Sequence, residues 1–256
     1  MKRRNLKILL ISIVIVILVV LGTISWLKSR SVETLLAWKH YNYIKEEGIF
    51  YTFYFHPEDK EKIELIRGMN PEAIRLAEKW FGDGDYLEER LRIFLIHKDD
   101  EPHPFLNSDG VFYANNIILL RSDSDFLQFT YFHELAHHFL NNFAIEIGLS
   151  DIDIPVWFHE GVAESFANRL APKQLHETIN NYEVVPLLEE ERPDDWYPSD
   201  TYLFMHYAVE YLLYVFNENI LYDLILKTNE KGNFIDAFKE LTNFDLSTYH
   251  LKFLED

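Results

Sequence analysis

The residues of this chain that could do chemistry are concentrated in His133-Glu134-Leu135-Ala136-His137. On an α-helix, positions i and i+4 share a face, so His133 and His137 can turn imidazole nitrogens toward one ion while Glu134 projects beside it. A catalytic zinc keeps three protein ligands and one open position for a water, which a neighbouring carboxylate can deprotonate. The pentapeptide lies in an apolar stretch, with Phe126, Leu127, Phe129, Tyr131 and Phe132 before it and Phe139, Leu140, Phe143 and Ile145 after it. Polar groups in such surroundings are costly unless paired or bound to metal. Asp123, Ser124 and Asp125 offer a helix start, and Gly148 marks its end.

Such a site needs a third ligand. In the arrangement that places it six residues past the second histidine, position 140 would be Gly and 143 His; Leu140 and Phe143 exclude it. A Glu on a following helix is the remaining common solution. Trp157-Phe158-His159-Glu160-Gly161-Val162-Ala163-Glu164 provides one, with Asp153 and Pro155 as cap and first turn and Ala171-Pro172 as stop. Glu160 and Glu164 are i,i+4 neighbours there, and Gly161 permits close approach of another helix.

Together the two segments resemble those of the gluzincin zinc metallopeptidases, specifically peptidase-MA-like domains related to aminopeptidase N and, more distantly, thermolysin. The family pattern is HExxH followed by W-[LF]-x-E-G-x-A. The resemblance implies that His133, His137 and Glu160 hold Zn2+ and that Glu134 is the general base and then the general acid. It also implies that Glu164 is a carboxylate behind the ligands, orienting an imidazole. The oxyanion donor in that family is a downstream tyrosine, here matched by Tyr202, with His206 one turn later as the alternative. An edge strand just before the active-site helix would pair with extended substrate. Twenty-two residues separate His137 from Glu160, more than is usual in the aminopeptidases. Their G-x-M-E-N strand, which helps capture a substrate amine, is absent; the nearest strand begins Gly110-Val-Phe-Tyr. That departure points to an endopeptidase acting on a peptide or protein substrate.

At the N-terminus, Leu6–Leu27 is long and apolar enough to span a bilayer, and Lys2, Arg3, Arg4 and Lys7 lie at its start. The expected organisation is a cytoplasmic tail (1–5), a transmembrane anchor (6–27), a linker helix (28–48) and a metallopeptidase domain (49–256). The catalytic part then sits outside the cell membrane; cleavage and secretion is the less favoured alternative. Residues 1–30 contain six basic and no acidic groups, so the remainder carries a net −24, which repels nucleic acid. There is no Cys, hence no disulfide and no lipid-modified Cys anchor.

The fold class expected is α+β, zincin-like: a small mixed sheet, the active-site helices and a helical C-terminal part. Strands are predicted at Phe50–His56, Leu91–His97, Val111–Ala114 and Ile117–Leu120. Helices are predicted at Glu58–Trp80, Tyr202–Phe216, Ile220–Thr228 and Asn233–Leu241. The acidic, proline-flanked stretch 188–195 is expected to be a solvated loop. His138 and His159 should point away from the metal. His40, His56, His97, His103, His176 and His250 are scattered without metal spacing and are assigned surface or packing roles. The competing function is a domain that keeps the fold without catalysis, with or without zinc.

Overall fold

The computed structural model describes residues 42–172 and 199–249, apart from 89, 101–105, 107, 114–115, 151–152 and 247. Five strands form one sheet: β1 (Ile44–Glu47), β2 (Tyr51–Phe55), β3 (Leu91–Ile96), β4 (Gly110–Tyr113) and β5 (Ile117–Arg121). Their spatial order is β1-β2-β3-β5-β4. The central β2, β3 and β5 run parallel, and β1 and β4 flank them antiparallel. Register aligns Phe53 with Ile93 and Ile118, and Phe55 with Leu95 and Leu120. Because strand side chains alternate between faces, these six residues form one apolar surface, and all are buried in the main core.

Helices α1 (Lys60–Phe81) and α2 (Leu127–Glu146) pack on the sheet, and α3 (Val156–Leu170), α4 (Ser199–Phe216), α5 (Asn219–Lys231) and α6 (Phe234–Thr242) pack onto the helical layer in turn. The strongest helix contacts are α2 with α3 and α3 with α4. Two glycines set how closely the site-bearing elements approach. A Cβ on Gly161 of α3 would collide with the Met205 carbonyl oxygen of α4 and lie 2.7 Å from Val209 Cγ2. A Cβ on Gly110 of β4 would collide with Thr130 of α2 and lie 3.2 Å from Glu134 Cγ.

Several expectations are corrected. The described architecture is mixed α/β, without the transmembrane helix expected as part of the fold. No helix among the described residues is long and apolar enough to cross a membrane; residues 6–27 lie outside the described residues, as does the loop 188–195. The linker helix expected to reach residue 48 gives way to β1 at Ile44–Glu47. Pairing with β2 supplies the hydrogen bonds, and a tight turn closed by Gly48 N–H donating to the Tyr51 carbonyl joins the two strands. At the start of α2 it is Ser124 whose hydroxyl accepts the Phe126 N–H, while Asp123 pairs with Arg121. Asp153 does not cap α3; it accepts from Ser150 N–H and Oγ–H, and Pro155 occupies the N-cap position.

The close α3–α4 contact makes a signed prediction. Gly161→Ala is expected to destabilise the fold by about 1–3 kcal/mol through overpacking. Gly68→Ala, within α1 and with nothing within 4 Å of its Cβ position, is expected to stabilise it by roughly 0.5–1 kcal/mol. Chemical denaturation of the two variants tests this; equal effects would contradict the packing.

Candidate metal centre

Helix α2 carries His133, Glu134 and His137, and α3 carries Glu160 and Glu164 one turn apart. The helices cross so that the two histidine Nε2 atoms lie 3.1 Å apart. Glu160 Oε2 lies 3.3 Å from the first and 3.5 Å from the second. Four ligands about 2.0–2.1 Å from a tetrahedral zinc are separated by about 3.3–3.4 Å along each edge. The three measured separations bracket that edge, and two imidazoles with one carboxylate are a set that zinc accepts. The residues fit the metal the sequence implies. Their side chains are 12–21% exposed, so a further position at such an ion is open to solvent and substrate.

The groups behind the ligands hold them in place. Glu164 Oε1 lies 3.3 Å from His133 Nδ1, within ion-pair distance though not aligned as a hydrogen bond, and so stands behind that imidazole. Burial disfavours a charged His133, but the Glu160 and Glu164 carboxylates, each 3.3 Å from a ring nitrogen, outweigh it and hold its pKa well above the ordinary value. Glu160 is largely withdrawn from solvent, yet the two imidazoles drive its pKa far down and keep it ionised. Glu134 goes the other way. Burial, reinforced by the Glu160 charge, raises its pKa despite the pull of His133 and His137 and a hydrogen bond from the Phe112 backbone.

The two downstream candidates occupy different places. Tyr202, half-buried, sits with its ring 6.2 Å from that of His133. His206 is buried within the α3–α4 interface, its Nδ1 3.0 Å from Ser165 Oγ, and it feels the Glu164 charge from behind. It supports α3 rather than facing the opening. His138, as expected, turns away, its Nδ1 3.2 Å from Asn116 Oδ1. His159 places its ring 6.3 Å from that of His137.

Two contributors were not legible in the chain. Tyr113 of β4 lies close enough to Glu134 that the carboxylate, after burial, raises the phenol's pKa. Ser165 anchors His206. Gly110 was the available signal for the first, since a glycine opening a strand marks a close approach. For Ser165 the only signal was its place beside Glu164.

No protein-family model matches the chain. The chain is similar to YhcO of Bacillus subtilis (strain 168), described as an uncharacterized protein, with 30% identity over 127 residues. The match covers 47% of this chain and 38% of that relative, so the chain spans well under two thirds of the relative's length. Neither result indicates a peptidase family.

The geometry makes two predictions. Glu164→Gln is expected to weaken zinc binding by about 10–100-fold while leaving the fold intact; unchanged affinity in a competition titration would remove Glu164 from the site. The buried His138 has its pKa pushed down to about 3 by lost hydration. Because an unfolded histidine titrates near 6.5, the neutral ring favours the fold fully above about pH 6.5. That stability is lost as pH falls toward 3, a loss growing to on the order of 5 kcal/mol. His138→Gln is expected to flatten this part of the stability profile, measured by denaturation with a chelator present.

Proposed function

We propose that this chain is a zinc-dependent peptidase that cleaves within peptide or protein substrates. The observation that carries the reading is the convergence of His133, His137 and Glu160 at separations fitting one tetrahedral ion, with Glu134 alongside. When bound, zinc would polarise the scissile carbonyl and lower the pKa of the attacking water.

The chain's own groups supply the rest. Glu134 takes the water's proton on its carboxylate and returns it to the departing amine. Its pKa is raised above the ordinary carboxylate value by burial, the direction that favours holding the proton until the amine departs. Tyr202 donates its phenolic hydrogen to the developing oxyanion. Glu164 keeps the His133 ring turned so that Nε2 stays available. Strand β4, at the end of the sheet and against Glu134, offers its backbone edge to an extended substrate. Lacking the amine-capturing acidic motif on this strand, the site has no evident means of restricting itself to a chain end, which favours internal cleavage. Glu134 also argues against a non-catalytic metal-binding or interaction domain, which has no use for a base beside its ligands.

Glu134→Gln is expected to retain zinc and lose at least about a hundredfold in kcat/KM on a peptide library, and Tyr202→Phe to lower kcat by about a hundredfold at unchanged zinc content. Full hydrolysis by a zinc-loaded Glu134→Gln protein would sink the mechanism. Absence of zinc from both wild type and variant would sink the metal assignment.

A further inference from the structure

We propose that His56, Glu58 and His97 form a second, exchangeable site for a divalent cation of the zinc class, at the C-terminal ends of β2 and β3. It is independent of the centre on α2 and α3. The two histidines are far apart in sequence but follow directly on strands paired in parallel, with Phe55 beside Leu95. The pairing delivers both to the same edge of the sheet, where the ring centroids are 4.4 Å apart. The short 3-10 turn Pro57–Asp59 brings Glu58 over them, its Oε2 3.6 Å from His97 Nε2. One donor atom from each of the three residues lies within 4.8 Å of the others. Asp99 Oδ2, on the turn after β3, is 3.5 Å from the same His97 nitrogen and offers a further oxygen.

The orientation of His97 is what makes this more than a surface cluster. The residue is 7% exposed, and its Nδ1 lies 2.7 Å from Oδ2 of Asp59, itself 1% exposed. Lys62 donates to the other Asp59 oxygen at 2.8 Å and to the Ser122 carbonyl at 2.8 Å. The ionised Asp59, held by the lysine, accepts a hydrogen bond from His97 Nδ1, which leaves Nε2 as the ring atom on the side of Glu58 and Asp99. A buried carboxylate behind an imidazole is the arrangement that fixes tautomer and ring angle for metal ligands. His56 Nδ1 receives the Glu58 N–H at 3.4 Å, a long contact. Two imidazoles with carboxylate oxygens suit zinc-class ions better than calcium or magnesium. Glu58 and Asp99 are 71% and 77% exposed, which makes the site open and its cation exchangeable. A cation there would tie the turn after β2 to the turn after β3. Ser122, whose hydroxyl accepts the Lys98 N–H, extends the same network toward the loop that enters α2.

The test is zinc per full-length chain after equilibrium dialysis against Zn2+ alone, in wild type, His56→Ala/Glu58→Gln, His133→Ala/His137→Ala and the combined variant. Circular dichroism and thermal unfolding in chelator verify folding. Each pair of substitutions is expected to remove one equivalent, and the combined variant both. In metal, the wild-type transition is expected to lie above that of His56→Ala/Glu58→Gln, the two coinciding in chelator. If His56→Ala/Glu58→Gln binds as much zinc as wild type, the proposal is overturned, whatever happens at the first centre. If that variant loses an equivalent while His133→Ala/His137→Ala loses none, this proposal stands and the α2–α3 zinc assignment falls.

Discussion

Two imidazole nitrogens held 3.1 Å apart beside a carboxylate oxygen are an unfavourable set unless a proton or cation stands among them, and the packing of the surrounding helices and sheet holds them so. The constraint reaches outward in steps. The α2 face that carries the histidines is seated against β4, where Gly110 leaves room for Thr130 and Glu134. The α3 face that carries Glu160 and Glu164 is seated against α4, where Gly161 lets the helix backbone touch the Met205 carbonyl. Behind α3, Ser165 and His206 fill the interface with a polar pair that is buried and satisfied. A well-packed interior transmits small displacements, so a methyl group at either glycine is felt at the ligands.

Within that cleft, neighbouring carboxylates meet opposite fates. Glu160 faces both imidazoles, and their attraction overwhelms the cost of lost hydration, so it stays an anion. Glu134 is one residue from His133 but receives less of that attraction, and burial together with its negative neighbour raises its pKa. Separating two carboxylates this way is how one site obtains a permanent anion and a group that exchanges protons.

What could be read from the chain depended on how local the signal was. The spacing of His133 and His137, the Glu160–Glu164 turn and the close-approach role of Gly161 are properties of single helices, and the structure has them. The alternation in Tyr51–Phe55 and Leu91–Ile96 likewise marked strands. Ile44–Glu47 escaped because four residues ending in two acids look helical until β2 pairs with them. Asp153 was a sound cap by type, but Ser150 offered it a nearer pair of donors. His206 looked equivalent to Tyr202 one turn away, and only the position of α3 consigns it to the interior. The approach of the His56 and His97 rings to 4.4 Å was illegible for a different reason. Their proximity is created by parallel strand pairing, which leaves no trace in local spacing.

The two borders of the sheet differ in a way that affects what can join it. On β1 the border carries Lys45, Glu46 and Glu47, engaged by one another and by Arg67 and Arg90. Such charges discourage a foreign strand from adding, as edge strands commonly require. On β4 the residues are Gly, Val, Phe and Tyr, with no charge among them. Among the described residues, charge therefore discourages strand addition at the β1 border and not at the β4 border, the one beside Glu134.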